Sequence, residues 1–161
     1  MAKTYEPIAT TTLGSAAASY TFTSISGTYT DLVLVFNGSS NAAGNLALQF
    51  NSDTGSNYSA TILYGDGSTA GSGRVTSQSN ANIAGTNTSN NTAIISIMNY
   101  SNSTTYKTAL GRGMRTGDQV VAKVALWRST AAITSVTVLP IDGASTWSSG
   151  STFTLYGIKA A

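Results

Sequence analysis

The 161-residue chain has no cysteine, no histidine, two prolines and few charges. Without cysteine there is no disulfide and no thiol chemistry. Without histidine as well, the usual transition-metal ligand sets, a Ser-His-Asp triad and a Cys-His pair are all missing. No cofactor is expected. Charged residues make up 9% of the chain, against about 25% in ordinary soluble domains. The balance is +2, with eight Lys and Arg against six Asp and Glu. The basic residues form no cluster, so the positive face that nucleic acid requires is lacking and no such partner is expected. No apolar run approaches the ~18 residues of a membrane helix, and no membrane partner is expected. The opening Met1-Ala2-Lys3-Thr4-Tyr5-Glu6-Pro7 holds no hydrophobic segment of the secretory kind.

Ser and Thr fill the gap, at about 30% of residues, with Asn and Gly close behind. The surface is therefore solvated by hydroxyls and amides. Such surfaces are common in β-rich proteins that live outside cells or pack into assemblies. Disorder also favours these residues, but apolar β-branched runs recur from end to end and exclude it for most of the chain. An extracellular-type surface without a secretory signal fits a protein made in a host cytoplasm and released by lysis, as in a virus particle. The length predicts one domain, residues 1–161, large enough to bury roughly 70% of its unfolded surface.

The most telling stretch is Tyr29-Thr30-Asp31-Leu32-Val33-Leu34-Val35-Phe36-Asn37-Gly38. Five apolar residues closed by Asn-Gly predict a strand buried on both faces and ended by a turn. Further strands are predicted at Ile8–Leu13, Tyr20–Ile25, Leu46–Phe50, Tyr58–Tyr64, Ala93–Met98, Thr104–Met114, Gln119–Trp127, Ile133–Leu139 and Thr152–Ile158. In Gln119–Trp127, Val121, Lys123, Ala125 and Trp127 share one face, and Val120, Ala122, Val124 and Leu126 the other. Gly117-Asp118 reads as a hairpin turn. Residues 1–19 read as an N-terminal arm and edge segment. Residues 65–92, polar and glycine-rich, read as a long loop insertion with at most a weak strand near Arg74-Val75-Thr76. Nine or ten short strands with Gly, Asn and Asp punctuation predict an all-β antiparallel sandwich of jelly-roll type. No stretch shows helical periodicity over three turns.

The six acids nominate no catalytic pair. Asp53, Asp66, Asp118 and Asp142 lie near glycine, where an Asp side chain bonds its own backbone. Asp53-Thr54-Gly55 superficially matches an aspartic-protease signature but lacks the flanking pattern. Asn51, Asp53, Gly55 and Asn57 alternate like the start of a calcium loop, yet Ile62 stands where the bidentate acid belongs. A structural Ca²⁺ completed from elsewhere stays open. The glycine-rich run Gly65–Gly73 lacks the lysine and following helix of a phosphate loop.

Trp127 reads as core by periodicity. Trp147, in a Ser/Gly loop, could stack on a sugar, anchor a subunit contact or fold back on its own sandwich. Arg112 and Arg115, near a hairpin end, could pair with acids of another chain or simply solvate a hairpin tip. Tyr5 on the arm and Arg74 in the insertion complete the candidate contact residues. No catalytic and no metal-ligating residue is expected.

The motifs Tyr29–Val35, Phe50-Asn51-Ser52-Asp53-Thr54-Gly55-Ser56-Asn57-Tyr58-Ser59, Leu63–Ser68, Asn99–Lys107 and Phe153–Ile158 resemble those of small virion proteins of tailed bacteriophages, notably phages of cyanobacteria and marine bacteria. The resemblance spans nearly the whole chain. It implies a non-enzymatic virion protein, either a head decoration or cement protein or a tail-fibre or tail-tip module. The first would contact itself, as a homotrimer, and the major capsid protein. The second would bind a host receptor or surface glycan, with Trp147 as its exposed aromatic.

Overall fold

The computed structural model describes residues 4–117 and 119–159. Met1 to Lys3 of the predicted arm and Asp118 of the predicted turn lie outside them. The strands are β1 (Tyr5–Thr12), β2 (Tyr20–Phe22), β3 (Asp31–Gly38), β4 (Gly44–Phe50), β5 (Tyr58–Gly65), β6 (Ala70–Gln78), β7 (Ala81–Thr86), β8 (Asn91–Met98), β9 (Lys107–Arg115), β10 (Gln119–Trp127), β11 (Val136–Pro140) and β12 (Thr152–Ile158). Every pairing is antiparallel. One sheet has the order β1-β12-β3-β8-β9-β10-β5-β6 and the other β2-β11-β4-β7. The all-β sandwich expected from the sequence is the observed architecture.

The order resolves into a core and an addition. β1-β12-β3-β8 facing β2-β11-β4-β7 is an eight-strand jelly roll, with the chain passing between sheets. β5–β6, inserted between β4 and β7, and β9–β10, inserted between β8 and β11, add four strands beside β8. The first sheet is thus twice as wide as the second.

Alternation sets what lies between the sheets. Leu32, Leu34 and Phe36 of β3 point inward beside Ile95 and Ile97 of β8 and Phe153 and Leu155 of β12, all fully buried. Val33 and Val35 on the outer side are only half-buried, so β3 is buried on one face rather than two. Asn37 and Gly38 do not turn the chain. They continue β3 against Thr92 and Asn91 of β8, and Gly38 lies against Ser151 with no room for a β-carbon.

Residues 65–92 are not a loop. β6 forms the outer edge of the wide sheet, and all six residues of β7 are buried. Periodicity misses β7 because Ala81-Asn82-Ile83-Ala84-Gly85-Thr86 is small and mixed on both faces. Close approach explains the small residues. A β-carbon on Gly111 of β9 would stand 2.0 Å from the Ile83 carbonyl oxygen, so β7 lies almost backbone to backbone on β9.

Candidate functional site

Turn chemistry fixes most of the acids. The Asp66 carboxylate accepts from the Ser68 and Thr69 backbone N–H groups at 2.8 and 2.6 Å and from the Thr69 hydroxyl, and these bonds, the Thr69 N–H foremost, hold its pKa down at about 2. Asp142 does the same with Ser145 and Ala144, and its pKa is lowered chiefly by the Ser145 hydroxyl. Asp31 accepts from the Asn99 N–H at 2.6 Å, and Glu6 pairs with Lys159 at 3.0 Å. Asp53 is the most deeply engaged. It accepts from Trp127 Nε1 at 2.7 Å, Asn57 Nδ2 at 2.9 Å and Gly55 N at 2.8 Å. The Trp127 bond is the main reason its pKa falls. These donors converge on the carboxylate where a calcium loop would offer oxygens, and among the described residues Asp53 faces no second acid. Among the described residues no group of three His, Cys, Asp or Glu side chains comes together.

Trp147 is completely buried. Its ring centroid lies 5.0 Å from that of Phe36 and 5.7 Å from that of Phe153, and Nε1 donates to the Val138 carbonyl at 3.2 Å. Its backbone bridges Ala17 and Ser40. Of the three readings of this side chain, folding back on its own sandwich is the observed one. The exposed aromatic that motivated a sugar-binding role is absent. Trp127 is core, as its periodicity predicted.

The two hairpin arginines part company. Arg112 is exposed on the outer face of β9. Arg115 takes the inner side, its β-carbon 3.3 Å from where a side chain on Gly85 would begin. Arg74 is exposed on β6 and lies on the same outer face as Arg112. Neither Arg74 nor Arg112 bonds to a described residue. Tyr5 is exposed on the opposite edge strand, edge-on to Tyr156 at 6.3 Å.

The outer face of the wide sheet divides in two. Over β1 and β12 it is a threonine ladder, with Thr10 bonded to Thr154 at 3.2 Å and Thr12 to Thr152 at 3.0 Å. Over the added strands it is aliphatic. Val120 is 61% exposed and Leu63 58%, in company with Leu110, Met114 and Val124. Register puts them side by side: Leu110 opposes Val124, Met114 opposes Val120, and Ala122 lies between Arg112 and Leu63. A groove of about 410 Å³ runs among Leu63, Arg112, Val120 and Ala122. The sequence did carry a signal for this face. The Val120, Ala122, Val124, Leu126 side of β10 is as apolar as the buried side, which a half-solvated strand does not require.

Beneath that face lies a cation without a carboxylate. Lys123 is 2% exposed. Its Nζ donates to Asn45 Oδ1 at 2.5 Å, Asn82 Oδ1 at 2.8 Å and the Ala84 carbonyl at 3.2 Å. Burial, and secondarily the Arg115 guanidinium, lower its pKa to about 8. Three oxygens satisfy all three donors, so Lys123 pins β10 to β4 and β7.

No family model matches the chain, and neither does any curated protein. Among solved structures it is similar to alginate lyase Aly36B, at 8% identity and a TM-score of 0.32, over 92% of this chain and 77% of that one. A double mutant of that lyase in complex with alginate tetrasaccharide gives the same identity and TM-score, over 83% and 72%. This similarity assigns neither fold nor activity to the chain.

Proposed function

We propose that this chain is a non-enzymatic structural protein of a tailed-phage virion, a capsid decoration protein that bridges and stabilises head subunits and associates as a homotrimer. The observation that carries the reading is the aliphatic outer face of the four added strands. Large exposed apolar residues cluster there instead of scattering singly, as surfaces do where another protein docks. Two further features support it. The five described carboxylates all serve turns, strand ends or an ion pair, and the motif set resembles small virion proteins along nearly the whole chain. The tail-module reading rests on an exposed Trp147 and on amide-rich loops, and of these the Trp147 side chain is buried.

The mechanism is linkage. A protein that binds the assembled shell and not its separated subunits lowers the shell's free energy by RT ln(1 + [L]/Kd) per site, about 2.7 kcal/mol at a hundredfold excess over Kd. Many modest sites then add across a capsid. The test is to add purified protein to undecorated heads. Co-sedimentation with a raised disruption temperature is expected. Heads that neither bind it nor gain resistance would defeat the reading.

A further inference from the structure

We infer that the outer face of β9, β10, β5 and β6 is a docking surface for another protein that presents apolar side chains flanked by carboxylates, and that Arg74 and Arg112 are the charges that orient it. The inference rests on the reading of this chain as a binding subunit and names the partner's chemistry.

The first argument is where the patch sits. At the jelly-roll edge of the same face, over β1 and β12, bonded threonine hydroxyls cover the sheet, and β3 and β8 between present half-buried Val33, Val35 and Ile94 with Met98 exposed at the β8 end. The most exposed aliphatic residues, Leu63 and Val120, and their neighbours Leu110, Met114 and Val124 belong to the two inserted hairpins, at the far side of the same continuous sheet. Leu63, Leu110, Met114, Val120 and Val124 do not contribute to the buried core, since Tyr58, Ala60, Ala109, Val121 and Ala125 fill the inner side of these strands.

The second argument is charge. By register, the outward positions of β8, β9, β10, β5 and β6 hold two cations, Arg74 and Arg112, and no acid. Three strand spacings and two residues separate them, roughly 16 Å along the sheet. Neither is bonded to a described residue, so both are free to meet carboxylates of a partner. A second copy of the chain is a poor fit. Among the described residues Glu6 is paired and Asp31, Asp53, Asp66 and Asp142 serve their own backbone or core, and two such faces together would oppose arginine to arginine.

The third argument is size. Four strand spacings by about six residues give roughly 400 Å² of sheet. Standard stable interfaces bury about 800 Å² per partner. A single copy of this site is therefore weak, and a repeated array of partner sites gains by avidity.

The experiment needs no phage component. Probes are a soluble glutamate–leucine copolymer, polyglutamate and a lysine–leucine copolymer, titrated against the wild-type chain, Arg74→Glu/Arg112→Glu and Leu63→Ser. Circular dichroism and melting temperature confirm that each variant is folded. The expected result is binding to the glutamate–leucine copolymer alone, weakened by salt. About a tenfold or greater loss is expected in the double arginine variant, from the like charges it introduces, and a clear loss in Leu63→Ser. Failure to bind the copolymer, equal binding to polyglutamate, or unchanged binding by the arginine variant would overturn the inference. A second probe addresses self-association. The chain has no cysteine, so Thr61→Cys on this face and Thr10→Cys on the threonine side can be compared for thiol reactivity in free protein. Equal reactivity is expected, whereas protection of Thr61→Cys alone would make a second copy the occupant and overturn the inference. Heads that fail to bind would sink the virion reading and leave these results standing.

Discussion

Lys123 makes the fold more stable in mild alkali than at neutral pH, and the size of the effect follows from its surroundings. In the folded chain its pKa is lowered from 10.5 to about 8, chiefly by burial. Below pH 8 the group is protonated in both states and its contribution is flat. Between pH 8 and 10.5 the unfolded chain binds more protons than the folded one, so stability rises with pH. Integrating over those two values gives a gain of about 2 kcal/mol from pH 7 to pH 9.5. Lys107, lowered by the same cause, adds in the same sense. Tyr58 and Tyr100 act oppositely and later. Burial raises both, so stability is lost above pH 10 as unfolded tyrosines ionise. The perturbation is Lys123→Met. At pH 7 its effects oppose. Losing a buried cation relieves about 3 kcal/mol. The oxygens of Asn45, Asn82 and Ala84 lose their donor, at about 1 kcal/mol or more each. Neutral-pH stability is therefore a poor diagnostic and the pH slope is a good one. Urea unfolding followed by tryptophan fluorescence at pH 7, 8, 9 and 9.5 should show a rise in the parent that is mostly gone in the variant. A flat or falling parent curve, or a full rise surviving in Lys123→Met, would refute the reasoning.

Three further outcomes are expected. Asp53→Ala strands the part-buried Trp127 Nε1 and should cost about 1–3 kcal/mol in chemical denaturation, the range for an unsatisfied buried group, while the exposed Gly55 N–H turns to water. Because its folded pKa is lowered, Asp53 contributes stability that is present above pH 3.8 and lost as pH falls further, and the variant should show a shallower acid transition. Gly111→Ala would push a methyl group to 2.0 Å from the Ile83 carbonyl and should yield little folded protein, whereas Gly73→Ala on the open edge of β6 should melt within about a degree or two of the parent, as surface changes do. Trp147→Ala should lower stability by about 3–5 kcal/mol, the usual range for a buried aromatic, and a melting curve that does not move would show that the ring is not core.

The sequence announced most of this fold because its strands alternate. Spacing alone puts Val121, Lys123, Ala125 and Trp127 on one face, and that face is the buried one. The turns were legible too, since Asp66 and Asp142 bond the backbone that follows them. What escaped is what periodicity cannot encode. β7 is buried by close backbone approach, so its residues are small rather than apolar, and the relevant sign was glycine in the partner strand, at Gly111. β6 is a polar edge strand, and its side chains alternate between nothing and little: Gly71, Gly73, Ser72. Trp147 looked reachable because its neighbours are Ser and Gly, but small neighbours are also what lets a loop fold its one large ring onto Phe36 and Phe153. The docking face was half-visible. The apolar outer side of β10 could be read, whereas its merging with Leu110, Met114 and Leu63 needed the register of three strands.

The most direct test of the central claim is immunogold electron microscopy of purified source virions with antibody to this chain. A structural decoration protein predicts label spread over the heads of intact particles. Intact particles that carry no label would contradict it, and label confined to the tail would move the chain to adhesion.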